Sequence, residues 1–399
     1  MTVAAHSAAP RPARVLVIGP IYGGSLETAR STARACESLG ADTRLLEFDV
    51  FGAGWHTITR LPASSGHRTK IQADYAKVLG EMVVATAGEF RPDLVIGLAQ
   101  APLNASVCAR LRAAGMKVVF WFVENHRVLP YWKHVAKDYD VFFAIQDEPF
   151  LSMLRDAGSP KAVYLPTACD PERHARVALS DAERERFGAD VGFAGAPYVN
   201  RQRILLGLID LGPRIWGEGW DRTELARLAG NDGARFDLVD MMRIFSATRV
   251  NLNIHSANHV DGLDPDPDYV NPRTFELAAC GAFQLVDARA PLPALFRDDE
   301  VVTFRSTSEL RRLITHFLAR PDERAAIADR ARARALTEHT FAHRVRTMFS
   351  ETLPEHLQPG ATARRSISDA IATCERTSSK MTTDEALLRV LRHVESGVL

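Results

Sequence analysis

The feature that most constrains this chain is a short, continuous apolar run, closed by a turn and followed by a helical stretch, that recurs along its length. Arg14-Val15-Leu16-Val17-Ile18-Gly19 is the first such run, and Asp93–Leu98, Lys117–Val123, Val141–Ile145 and Ala162–Leu165 follow. A strand that is apolar at every position is buried on both faces, the condition of a parallel sheet covered by helices. Helical segments at Leu26–Leu39, Ile71–Glu89, Asn104–Ala114, Leu129–Lys137 and Glu148–Asp156 alternate with these runs, and Asp42–Phe48 is a further strand. Such alternation predicts an α/β fold. Gly52–Arg68 breaks the rhythm and reads as a loop. The series stops at Pro166-Thr167-Ala168-Cys169-Asp170-Pro171, and the charged stretch Glu172–Arg186 reads as a linker or exposed helix. A second series begins at Asp190, with strands near Val191–Ala194, Arg214–Trp216, Arg249–Ile254, Phe283–Val286 and Val301–Phe304. Two domains are therefore expected, residues 12–171 and 190–353, followed by a polar tether and a terminal amphipathic helix over 354–399. An isolated helix of that length is marginal in water, so it must dock, on the chain's own domains or on a second copy in a homodimer.

Composition removes several classes of function. Lys+Arg and Asp+Glu are both 49 in 399 residues, so no global field favours nucleic acid or an acidic membrane. The five cysteines (Cys36, Cys108, Cys169, Cys280, Cys374) are scattered without a C-x-x-C pair, which argues against structural zinc or a disulfide framework. No stretch approaches the roughly 20 apolar residues of a transmembrane span. A cytoplasmic protein is expected.

The stretch with most chemistry is Asn271-Pro272-Arg273-Thr274-Phe275-Glu276-Leu277-Ala278-Ala279-Cys280-Gly281. Asn271 is a preferred N-cap, Pro272 suits the first helical position, and Gly281 supplies the left-handed residue that ends a helix. Phe275, Ala278 and Ala279 form the apolar stripe, so Arg273 and Glu276, three apart, project together elsewhere. A nucleoside diphosphate needs such a set: helix N–H groups and Arg for phosphate oxygens, Glu for ribose hydroxyls. The same spacing also describes an ordinary surface ion pair worth a few tenths of a kcal/mol.

The segment Asn271–Gly281 resembles the donor-binding signature N-x-R-x-F-E-x-x-x-x-G of glycosyltransferases related to the spore-maturation protein CgeB. Further matches precede it in the family's order: Val191-Gly192-Phe193-Ala194-Gly195, Asn200-Arg201, Ile215-Trp216-Gly217-Glu218-Gly219-Trp220 and Val250-Asn251-Leu252-Asn253-Ile254-His255. The resemblance covers about half the chain, from Ala189 to near Leu353. It implies a GT-B fold, two Rossmann-like domains facing across a cleft, and transfer of a sugar from a nucleotide sugar to a hydroxyl acceptor on a protein or glycan. Arg273, Glu276, Asn271, Thr274, Gly195, Asn200, Arg201, Gly217 and His255 would then border the donor, with Glu276 on ribose and Arg273 and Arg201 on phosphate. The resemblance implies neither a metal nor a cofactor. A catalytically silent binding or assembly protein and a nucleotide-sugar epimerase are the competing readings.

Other constellations are less committed. Gly19-Pro20-Ile21-Tyr22-Gly23-Gly24 lies after the first strand, so Gly23 and Gly24 form either a plain turn or a cleft loop. It lacks the G-x-G-x-x-G spacing of a dinucleotide site. Glu124 and His126 emerge at a strand's carboxyl end, where either could act as base on an acceptor hydroxyl. The alternative is a solvated loop. His255 reads as a hydrogen-bond donor near the phosphates or as an uninvolved histidine. Asp261, Asp264, Asp266 and Asp268 are separated by prolines, which spread the carboxylates and suit a mobile loop better than a chelate.

Overall fold

The computed structural model describes residues 12–354 except 235, 258–261 and 266, and the described residues fall within one compact unit, Met1–Leu357. The terminal amphipathic helix expected within 354–399 lies outside the described residues. Strands β1 Arg14–Ile18, β2 Asp42–Leu46, β3 Leu94–Leu98, β4 Lys117–Phe122, β5 Val141–Ala144 and β6 Ala162–Tyr164 form one parallel sheet in the order β2-β1-β3-β4-β5-β6. Strands β7 Ala189–Ala194, β8 Arg214–Trp216, β9 Thr248–Asn253, β10 Gln284–Asp287 and β11 Val302–Phe304 form a second, in the order β11-β10-β9-β7-β8. Both orders reverse direction once, between β1 and β3 and between β7 and β9. Open parallel sheets bind ligands outside the strands' carboxyl ends at that reversal.

Alternate residues of β1 enter different cores, as a strand covered on both faces requires: Leu16 and Ile18 on one side, Val15 and Val17 on the other. The second of these cores is completed from the far end of the chain. Phe341, Val345, Met348 and Phe349 of the helix Phe341–Thr352 pack there against Val15, Val17 and Trp121. The sequence reading grouped this helix with the second domain, yet it lies against the first. The two crossings run side by side: Cys169 N–H donates to His339 O (2.9 Å), and Phe341 N–H donates to Cys169 O (2.9 Å). Arg344 clamps the pair, its guanidinium donating to the carbonyls of Pro166 (2.8 Å) and Thr167 (3.0 Å).

Gly52–Arg68 is not a loop. It holds the helix Gly52–Thr59 and the start of the long helix Ser65–Phe90. The glycines there permit close packing: a Cβ on Gly54 would lie 2.6 Å from Tyr75 Oη. Ser64 caps the long helix by accepting the His67 N–H at 3.3 Å. Ser64→Ala should therefore lower unfolding stability by roughly 0.5–2 kcal/mol in urea titration, and no loss would show that the cap is dispensable.

Candidate active site

The helix Pro272–Cys280 has the anticipated ends. Asn271 is extended (φ −74°, ψ 160°) and its side chain accepts the Thr274 N–H at 3.1 Å, while Gly281 is left-handed (φ +66°). The cap is itself held from below. Asn271 Nδ2 donates to Asn253 Oδ1 (2.8 Å), and Asn253 Nδ2 donates to Thr274 Oγ1 (2.8 Å) and Gln284 Oε1 (3.0 Å). The Asn271 backbone N–H donates to His255 Nε2 at 2.8 Å, which fixes the proton of that ring on Nδ1, 2.7 Å from Asp287 Oδ1. Asp287 also accepts the His255 N–H (3.0 Å) and pairs with the Arg289 guanidinium.

Several expected ligand contacts are thus internal supports. His255 has no exposed surface and both ring nitrogens are engaged, so it is not a donor to phosphate. Burial pushes its imidazole down to about 4, so it is neutral at pH 7. Asn200 and Thr274 are equally enclosed; Asn200 Nδ2 donates to His255 O (2.8 Å) and its Oδ1 accepts the Ala257 N–H (2.9 Å). Among the first-turn amides, Pro272 has no N–H and Asn271 takes that of Thr274. The Arg273 N–H is left without a partner among the described residues.

Arg273 and Glu276 are partly exposed and pair with each other at 2.6 Å, with the guanidinium 4.9 Å from the Phe245 ring centre. The ion pair read from their spacing exists, and it stands at the sheet's carboxyl edge. Arg201, on the helix Val199–Leu206 that follows β7, donates to the carbonyls of Ile254 (2.9 Å) and Ala196 (3.2 Å) and lies over Phe193 and Tyr198. No carboxylate among the described residues is within ion-pair distance of it. Burial lowers its guanidinium to about 10, and the nearby charge of Arg273 pushes the same way. Gly195 and Gly217 bring the ends of β7 and β8 together: Gly217 has φ +142°, and a Cβ there would sit 2.2 Å from Gly195 O. Any side chain at Gly217 would part the two strand ends.

On the first domain, Glu124 follows β4 and is largely enclosed. Its Oε1 accepts a long hydrogen bond from Gln100 Nε2 (3.4 Å), and burial raises its carboxyl above the ordinary range. His126 differs. It is 7% exposed, stacks on Phe150 at 4.2 Å, and burial, with Arg127 and Lys133 nearby, pushes it down to about 4. Its Nδ1 makes no hydrogen bond, and Asp268 Oδ2 stands 3.7 Å away. A buried ring this weakly basic is a poor acceptor-side base. Gly23 has φ +98° and Gly24 is exposed; a Cβ on Gly23 would meet Gln100 Oε1 at 3.2 Å, so this turn does border the carboxyl edge.

The domains meet at these edges. Arg127 Nη1 donates to Asp268 Oδ2 at 2.8 Å, tying the loop after Glu124 to the loop that leads into Asn271. Asp264 faces Arg289 at 3.5 Å. Both described aspartates of that loop therefore sit on arginines, and no group of three His, Cys, Asp or Glu among the described residues is placed to hold a metal. Sequence reasoning missed Asp287, Arg289, Gln100 and the Arg127–Asp268 bridge. Only Asp287 left a trace, as a carboxylate closing the strand-like run Phe283–Val286.

Two parallel sheets, each with a binding edge turned towards the other, define a GT-B protein. Residues 201–350 match the sequence model of the family described as Glycosyl transferase-like. The chain is 20% identical over 252 residues to the spore protein CgeB of Bacillus subtilis strain 168, covering 60% of this chain and 76% of that protein. Its fold resembles sucrose-phosphate synthase from Thermosynechococcus elongatus (TM-score 0.58, 13% identity, 86% of this chain, 100% of that one). It also resembles Anabaena HepE, solved in complex with UDP-glucose (TM-score 0.56, 12% identity, 86% and 100%). The chain thus has a GT-B fold and is similar, over its second half, to the CgeB-like glycosyltransferase-like proteins.

Proposed function

We propose that the protein transfers a sugar from a nucleoside-diphosphate sugar to a hydroxyl acceptor. The observation that carries this reading is the charge pattern at the second sheet's edge. Arg201 is a cation destabilised by burial, without a carboxylate partner among the described residues and close to a second arginine, Arg273. An anion beside Arg201 would offset that burial, and Arg273, already paired with Glu276, could share it. The open Arg273 amide at a helix N-terminus adds to the same demand. Glu276, held at 2.6 Å by Arg273, keeps a second carboxylate oxygen for ribose hydroxyls. That HepE was solved with UDP-glucose on the same fold supports a nucleotide sugar as the anion. Across the junction, Glu124 would take the acceptor's proton while the arginines stabilise the departing diphosphate.

Calorimetry with UDP, GDP and dTDP on the whole chain tests the donor half. Arg273→Ala and Glu276→Ala should each weaken the preferred nucleotide about ten- to hundredfold, the cost of roughly 1–3 kcal/mol for a charged hydrogen-bonding group lost from a cleft. Equal affinity in both variants would refute the assignment. Transfer assays separate the competing readings: isomerised sugar without an acceptor would identify an epimerase, and nucleotide binding with no turnover a silent protein.

A further inference from the structure

The first sheet has its own reversal point, between β1 and β3, and a cavity of about 310 Å³ opens there. Tyr22 follows β1 and stacks on Trp55 of the helix Gly52–Thr59 (5.1 Å, 20°) to form one wall. Phe120 and Tyr139, stacked at 4.8 Å, form another, and Tyr131 and Gln100 complete it. None of the lining residues carries a charge.

Two polar atoms are buried in this wall without a hydrogen-bond partner, Gln100 Oε1 and Tyr131 Oη. An unsatisfied buried polar group costs roughly 1–3 kcal/mol, so two within one cavity wall favour an occupant whose polar group draws them out to bond. Their orientation is set. Gln100 is held left-handed (φ +64°), and its Nε2 donates to Glu124, which turns Oε1, an acceptor, away from that carboxylate. Burial raises the Tyr131 phenol, keeping it a protonated donor; the Gln100 backbone nearby opposes the shift without hydrogen-bonding geometry. The occupant is thus apolar over most of its surface, uncharged, and fitted with a hydrogen-bond donor. The lining is mostly aromatic and aliphatic and would leave most of a sugar ring's hydroxyls unpaired, and a phosphorylated acceptor would find no cation.

We propose that this cavity seats a neutral aromatic acceptor bearing a hydroxyl, stacked along Tyr22 and Trp55, with the hydroxyl at the end marked by Gln100, which bonds Glu124. This assignment rests on the glycosyl-transfer reading and names the acceptor class for it. The acceptor oxygen forms a bond to the sugar's anomeric carbon, the bond from that carbon to the diphosphate oxygen breaks, and the nucleoside diphosphate leaves with its electron pair. The acceptor's proton passes to the Glu124 carboxylate.

The test titrates the whole chain with 2-naphthol, with glucose and, separately, with UDP and GDP. Wild type should bind 2-naphthol and not glucose. Trp55→Ala should weaken 2-naphthol at least tenfold, since stacking and apolar contact are lost together, and leave nucleotide binding unchanged. Ala76→Trp, which fills the cavity without removing a contact, should do the same and guards against a Trp55→Ala variant that fails to fold. Nucleotide binding without naphthol binding, or naphthol affinity equal in both variants, would overturn the aromatic assignment and leave glycosyl transfer standing. Binding of glucose that both variants abolish would replace the aromatic class with a glycan. Naphthol binding with no nucleotide bound would overturn the transfer reading, and the acceptor assignment with it.

Discussion

Glu124→Gln should lower kcat by about 10²–10⁴-fold, the usual worth of a positioned general base, with nucleotide affinity unchanged. The carboxylate is the active form, and burial raises its pKa above the ordinary 4.5. Rate should therefore rise with pH through that displaced value, giving an acid limb above the usual carboxylate range that the glutamine variant lacks. Stability moves the other way. A carboxyl whose folded pKa is raised binds its proton more readily in the folded state, so its contribution declines as pH climbs from 4.5 through the raised value. At neutral pH the glutamine variant should be no less stable than wild type. A structural role would give the opposite pair of results, lost stability and a preserved limb. Retention of wild-type kcat by Glu124→Gln would remove this residue from the mechanism.

What could be read before folding was whatever is set locally or by period. The doubly buried strands announce themselves because every position of Val15–Ile18 is apolar, the cap at Asn271 is fixed by its own side chain, and the stop at Gly281 by the lack of one. The role of His255 and the support beneath the Asn271 cap were not readable, because they depend on partners far along the chain. His255 meets Asp287 from 32 positions away and Arg127 meets Asp268 from 141. Spacing placed Arg273 beside Glu276 correctly and could not decide whether the pair faced a ligand. That depends on Arg201, which has no carboxylate within ion-pair distance among the described residues, a fact visible only in three dimensions. The helix Phe341–Thr352 shows the same limit at larger scale: its amphipathic pattern demands a core and does not say which one. Gly52–Arg68 misled for a different reason: it breaks the strand–helix rhythm, while in the fold it is helical and Gly54 lets its helix pack closely on Tyr75.

Asp287→Ala should cost about 1–3 kcal/mol of unfolding free energy, because it leaves the buried Arg289 with Asp264 alone, a more distant partner. Arg289 and Asp287 side chains are 1% and 2% exposed, and the nearest other carboxylate, Asp264, is 3.5 Å away. Nucleotide affinity should fall as well, although Asp287 touches no ligand. Without it His255 loses the acceptor for its Nδ1–H, the ring is free to turn, and the Asn271 N–H loses the Nε2 that fixes the start of the signature helix. Asp287→Asn keeps an acceptor for the imidazole while discarding the charge, so it should recover more affinity than stability. The wild type carries the same dependence on pH. His255 is held at about 4 against an ordinary 6.5, so the unfolded chain takes up a proton that the folded chain refuses, and stability should fall as pH drops from 6.5 to 4. Asp287 is held well below 3.8, so its own share is lost only in stronger acid, as pH falls through that depressed value. Urea unfolding at pH 7, 4.5 and 3 on wild type and both variants measures the stabilities, and nucleotide calorimetry at pH 7 the affinities. An Asp287→Ala protein as stable as wild type would mean that the buried pair does not support the site.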